Sequence, residues 1–122
     1  MKLEVGMYIR TKDGIIARIK EIDNNERLYL NQKSIYTDDY EHDLIIDYEV
    51  IKASYNIIDL IKSKDIILGR DGKIYQCWKI YKDYVFTYSK NKQGQTITLV
   101  DYQIDKVLSK EQFEQMAYKV GE

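Results

Sequence analysis

Val5-Gly6-Met7-Tyr8-Ile9-Arg10-Thr11-Lys12-Asp13-Gly14-Ile15-Ile16-Ala17-Arg18-Ile19 reads as two β-rich runs around a Lys-Asp-Gly turn, where Gly14 can supply the positive φ of a tight hairpin. The later stretch Ile66-Ile67-Leu68-Gly69-Arg70-Asp71-Gly72-Lys73-Ile74-Tyr75-Gln76-Cys77 lies over it at an offset of 58, with Asp71-Gly72 on Asp13-Gly14, Ile67 on Ile9 and Ile74 on Ile16. Outward from the first hairpin, a strand is expected over Arg27 to Leu30 after the Asp23-Asn24-Asn25 turn. A polar loop follows from Ser34 to Asp43, then an apolar, β-branched run from Leu44 to Lys52. Ser54 suits the N-cap of a short helix over Tyr55 to Ile61, with Ile57, Ile58 and Ile61 on one face. Outward from the second hairpin, strands are expected at Trp78 to Ile80, Tyr84 to Tyr88, Thr96 to Val100 and Ile104 to Leu108, with Lys90-Asn91-Lys92-Gln93-Gly94 as a turn. Ser109-Lys110-Glu111-Gln112 is a capping box that opens a helix through Phe113, Met116 and Ala117, and Ser109 lies over Ser54 at an offset of 55.

The pattern predicts an α+β, mainly β fold: small antiparallel strand-rich units of the SH3-like or barrel-like kind, each followed by a short helix. One division is a degenerate tandem, residues 1–62 and 63–122, joined near Lys62-Ser63-Lys64. The other is one continuous domain in which Asp-Gly recurs by chance, since Asp-Gly hairpins are common. A unit of about 60 residues buries too little surface to be comfortable alone. The halves are therefore expected to pack together, or to form a homo-oligomer.

Composition narrows the function. The 122 residues carry 19 Lys plus Arg against 20 Asp plus Glu, a net charge of -1, so no global field holds DNA, RNA or an acidic membrane surface. Phosphate binding would have to be local. Cys77 is the only cysteine and His42 the only histidine, which excludes an intrachain disulfide and a Cys/His metal cage. No apolar stretch reaches the roughly 18 residues of a membrane span, and the start of the chain lacks a signal-peptide core. A cytoplasmic protein is the expectation. The 12 tyrosines, beside frequent Ile, Lys and Asn and no Pro, match an A/T-rich codon bias, so tyrosine abundance alone does not signal base stacking.

No pattern of catalytic residues stands out. His42 sits among Asp38, Asp39, Glu41 and Asp43 in a stretch read as a solvated loop, with no EF-hand or zinc spacing, and no metal or other cofactor is assigned. Cys77, in an expected strand far from His42, reads as a buried small hydrophobe. The Gly-x-Ser-x-Gly, Walker and Gly-x-Gly-x-x-Gly motifs are all absent. What remains suits holding a nucleotide. Arg10 and Arg70, each just before an Asp-Gly turn, could grip phosphate in two places, or simply pair with the neighbouring Asp. Tyr84, Phe86 and Tyr88 alternate on one strand face and could stack a purine, or belong to the core; Trp78 reads as core. Asn91, with Lys90 and Lys92 in the next turn, could read a base or ribose edge.

Three blocks carry a family resemblance: Lys2-Leu3-Glu4-Val5-Gly6 with Tyr8-Ile9-Arg10-Thr11-Lys12 and Gly14; Ile51-Lys52 with Ser54 and Asn56-Ile57-Ile58-Asp59-Leu60-Ile61; and Val107-Leu108-Ser109-Lys110-Glu111-Gln112-Phe113. Together they resemble small proteins of clostridial phages and prophages, among them the type 1 Thoeris anti-defence proteins. The resemblance implies a non-enzymatic sponge that sequesters glycocyclic ADP-ribose, the signal made by a bacterial TIR-domain enzyme, in the host cytoplasm. It further implies oligomers with pockets at subunit interfaces, and binding of cyclic oligonucleotides by some members. It maps no individual binding residue onto this chain. The other reading is an SH3-like phage adaptor or inhibitor that binds a protein, for example through the acidic Asp38 to Asp43 stretch.

Overall fold

In the computed structural model, which describes residues 2–33, 40–41, 44–46 and 50–120, the two Asp-Gly turns are built alike. In the first, the Thr11 amide donates to Ile15 O at 2.9 Å and the Gly14 amide to Thr11 O at 3.0 Å; in the second, Gly69 donates to Lys73 O at 2.9 Å and Gly72 to Gly69 O at 3.0 Å. Gly14 and Gly72 sit at φ +88° and +81°, the left-handed region a three-residue hairpin loop requires. The shared turn sets a shared register. Strand β1 (Tyr8–Thr11) pairs β2 (Ile16–Ile22) through Tyr8 with Arg18, Ile9 with Ala17 and Arg10 with Ile16. Strand β7 (Ile66–Gly69) pairs β8 (Ile74–Ile80) through Ile66 with Gln76, Ile67 with Tyr75 and Leu68 with Ile74, each partner 58 residues on.

The correspondence runs through both sheets. The first contains β3 (Arg27–Lys33), β4 (Tyr40–Glu41), β5 (Leu44–Ile46) and β6 (Val50–Ser54), in the order β4-β3-β2-β1-β6 with β5 also on β3. The second contains β9 (Tyr84–Lys90), β10 (Thr96–Val100) and β11 (Ile104–Leu108), in the order β10-β9-β8-β7-β11. Each is an antiparallel meander whose last strand returns beside its first. Both β2–β3 and β8–β9 carry a bulge, between Ile19 and Glu21 and between Cys77 and Lys79. Their paired residues correspond at offsets of 58 and 57: Ile19 with Leu30 answers Cys77 with Thr87, and Glu21 with Tyr29 answers Lys79 with Phe86. The offset falls to 54 at the last strand, where Ala53 opposite Ile9 answers Val107 opposite Ile67. The mainly β, antiparallel fold is as expected. The strands of one sheet lie within 8–54 and those of the other within 66–108, with corresponding registers.

Some local expectations change. Ser54 is the last residue of β6, opposite Tyr8, and the helix after it is a 3-10 turn, Ile57–Leu60, capped by Asn56, whose side chain accepts from the Ile58 amide. The last-strand offset of 54 moves Ser54 onto Leu108 rather than Ser109. Tyr40–Glu41, read as loop, is a strand on Gln32 and Lys33, and Trp78 to Ile80 belong to the longer β8. His42 and the acidic Asp38, Asp39 and Asp43 lie outside the described residues. The C-terminal helix α1 (Lys110–Val120) starts as read: Ser109 Oγ accepts from the Gln112 amide at 3.2 Å. The Gln112 side chain does not close the box; its Nε2 donates to Asp13 O at 2.7 Å, in the first hairpin.

That bond belongs to the joint between the halves. Ile9, Ile19, Leu28 and Leu30 fill the first unit, whereas Ile16 turns to the other core, with Ile57, Ile58, Leu60 and Ile61 of the 3-10 turn and Ile67, Cys77, Val85 and Leu99 of the second unit. Beside them lies Arg10, 1% exposed. Its Nη1 donates to Asp65 Oδ2 at 2.7 Å and Leu60 O at 2.9 Å, and its Nη2 to Glu111 Oε2 at 2.7 Å. Asp65 is fully buried and also accepts the Lys62 amide at 2.7 Å and the Lys110 amide at 2.9 Å, so one carboxylate satisfies the guanidinium and an orphan donor of α1. Gly14 completes the fit, since a Cβ there would stand 2.5 Å from Ser109 Oγ and 2.6 Å from Glu111 Oε2. Among the described residues no helix is long and apolar enough to cross a membrane.

Removing one partner of a buried pair strands the other charge. Asp65→Ala should cost roughly 3–5 kcal/mol in urea unfolding, and Arg10→Met in the same chain should recover the part due to the stranded guanidinium, the Lys62 and Lys110 amides staying without their acceptor. Burial works against the ionised Glu111, but Arg10's hydrogen bond and charge outweigh it and hold this carboxyl below its ordinary 4.5. A lowered carboxyl pKa stabilises the fold above the unfolded value and ceases to as pH falls through the folded one. Unfolding followed against pH should therefore fall more steeply below about 4.5 in the wild type than in Glu111→Gln, with near-parallel curves above it.

Candidate functional site

On β9 the inward positions are Val85 and Thr87, 0% and 1% exposed, so Tyr84, Phe86 and Tyr88 point outward, as the alternation predicts. On β8, Tyr75 and Cys77 point inward, and the bulge after Cys77 turns two successive residues, Trp78 and Lys79, to the outer face. Trp78 is thus 39% exposed and not core. It lies 6.4 Å from Phe86 and 6.2 Å from Tyr88 between ring centroids. Tyr81, in the β8–β9 turn, stacks on Tyr84 at 4.9 Å and meets Phe86 edge-on at 5.0 Å. Five rings form one platform, and two ammonium groups lie on it: Lys79 Nζ 4.8 Å from the Trp78 ring centre and Lys64 Nζ 4.6 Å from that of Tyr88.

The other sequence candidates fall elsewhere. Arg10 is committed to Asp65, Leu60 O and Glu111 inside the joint, and burial removes it from any surface clamp. Arg70 is exposed in the β7–β8 turn. Asn91 lies in the β9–β10 turn at the same end of the sheet, while Tyr81 and Tyr84 mark the opposite end. The Asn91 side chain builds its own turn: Oδ1 accepts from Gln93 and Gln95, each at 2.9 Å, and Nδ2 donates to Gln95 Oε1 at 3.1 Å. Cys77 is fully buried, and burial, with the charge of Asp65, pushes its thiol up to about 12, far from a thiolate nucleophile. Among the described residues no group of three or more His, Cys, Asp or Glu side chains could hold a metal ion.

Two tandem units on one backbone plan provide an internal control. The first-unit positions that answer Trp78, Lys79, Tyr84 and Phe86 are Lys20, Glu21, Arg27 and Tyr29. The same strands and the same bulge therefore form with one aromatic at these four positions, where the second unit has three. Codon bias cannot explain the difference, because it acts on both halves. The sequence places Trp78 and Tyr81 in the aromatic run from Tyr75 to Tyr88 that could stack a purine, but reads Trp78 as core, and nothing in it marks Lys64 or Lys79; the inward alternation of Tyr75 and Cys77 is the available signal for Trp78. Comparison with known protein families, curated proteins and solved structures finds no match to this chain.

If the fold does not need the platform, the first unit's residues should be transplantable. The pair Trp78→Lys with Tyr84→Arg should keep the wild-type circular dichroism and lose less than about 2 kcal/mol. Truncating the fully buried Ile67 to Ala should cost roughly 2–5 kcal/mol by the same measurement.

Proposed function

We propose that the chain is a binding protein that captures a phosphorylated, base-bearing small molecule on the aromatic face of its second unit and releases it unaltered. The observation that carries this reading is the contrast between the Trp78, Tyr81, Tyr84, Phe86 and Tyr88 platform and its charged counterpart in the first unit. Stacking a base on an aromatic ring is worth about 1–3 kcal/mol, and nearby ammonium groups complement phosphate. The aromatic face gives affinity; no residue on it is placed to activate a nucleophile.

Joined to the sequence resemblance, the reading becomes that of a phage anti-defence sponge acting in the host bacterial cytoplasm. It would hold a cyclic ADP-ribose-type signal, glycocyclic ADP-ribose, below the level that activates a Thoeris effector. Such a sponge needs nanomolar affinity, about -12 kcal/mol. A homo-oligomer would help to build a closed pocket over an open face. Support for one comes from Ile74, which is 55% exposed at the place where the first unit buries Ile16. A protein-docking adaptor is the competing reading, favoured by the exposure of Trp78 and Tyr88, since such aromatics are enriched at protein interfaces.

Mixing the purified protein with cyclic ADP-ribose isomers, filtering and then heating distinguishes these. A sponge returns intact ligand, an enzyme returns altered ligand, and an adaptor retains none. Phe86→Ala should retain at least tenfold less ligand while remaining folded; full retention by the folded variant would contradict the proposed face.

A further inference from the structure

The residue before the buried Asp65 is Lys64, and its backbone is in an unusual place. It has φ +78°, a conformation L side chains rarely adopt, and its amide donates to Cys77 O at 2.9 Å. The first unit contains the same feature 58 residues earlier. There Gly6, at φ +95°, donates to Ile19 O at 2.9 Å. The neighbouring bonds agree too: Ile19 N to Met7 O and Cys77 N to Asp65 O are both 2.8 Å. At this position the fold needs a left-handed backbone and one amide, and glycine supplies both without strain. The second unit instead has a lysine, whose ammonium lies 4.6 Å from the ring centre of Tyr88 on the aromatic face.

Positive φ alone does not mark function, since Glu26 has φ +61° in the β2–β3 turn, in the place taken by Gly14, Gly72 and Gly94 in turns of the same bonding. Lys64 differs in where its side chain goes. We infer that Lys64 is a ligand-binding residue, held in a strained backbone conformation that sets a cation over the aromatic platform, and that it selects a phosphate-bearing ligand over the bare nucleoside. The inference rests on the proposed nucleotide-capture function and deepens it. Lys79 over Trp78 supplies the second cation, but from an ordinary strand position.

Calorimetry with ADP-ribose and with adenosine as probes separates the two ideas. The wild type should prefer ADP-ribose by at least tenfold. Lys64→Gly, and Lys64→Asn, which also tolerates the left-handed region, should lose that preference and bind adenosine as before, while Lys64→Arg keeps it. Lys64→Gly should melt at or above the wild-type temperature, as should the control Glu26→Gly, whose binding is unchanged. Preference retained in the Gly or Asn variant, or lost in the Arg variant, would overturn the role of Lys64 and leave the platform standing, as would equal binding of both probes by the wild type. Binding of neither probe by the wild type would overturn the capture reading and this inference with it.

Discussion

A guanidinium with almost no access to water fixes how the first unit, the second unit and the C-terminal helix meet. Arg10 comes from the first strand of the first unit; its partners are Leu60 O at the 3-10 turn, Asp65 just before β7, and Glu111 in the C-terminal helix. Its ion pairs need those segments in one place, because a buried charge without its partner is costly. The result is a joint specified by charge as well as by apolar packing. Burial opposes the charged form of Arg10, but the bonds and charges of Asp65 and then Glu111 outweigh it and raise its pKa.

With the joint fixed, the two units are free to differ on their outer faces. The inner positions obey the same demand in both: Ile19 and Leu28 are buried in the first unit, Cys77 and Val85 in the second. Outside, the first unit shows Lys20, Glu21 and Arg27, and the second shows Trp78, Lys79 and Tyr84. Packing explains the agreement and leaves the difference unexplained. The proposed stacking role for the second face would account for it.

Structure set by local rules is legible in the sequence. Asp13-Gly14 and Asp71-Gly72 announce their hairpins, Ser109 announces the helix, and alternation places Tyr84, Phe86 and Tyr88 on one face. Non-local constraints were not legible. Nothing near Arg10 reveals that its partners lie 55 and 101 residues away, so a core arginine reads as a surface clamp. A single overlay offset cannot follow a register whose spacing passes from 58 through 57 to 54, so Ser54 lies over Ser109 in the sequence but answers Leu108 in the sheet. Lys64 shows only as part of a basic linker until its positive φ and the counterpart Gly6 are seen together.

The proposed capture puts the ligand on the aromatic face of the second unit and not on its equivalent in the first. Amide chemical shifts recorded while cyclic ADP-ribose is titrated into labelled protein tell the two faces apart, because the corresponding strands of the two units serve as each other's reference. Shifts should concentrate at Lys64, Trp78 to Tyr81 and Tyr84 to Tyr88, with 19–22 and 27–30 unmoved. Shifts centred on the first unit, or none anywhere at saturating ligand, would contradict it.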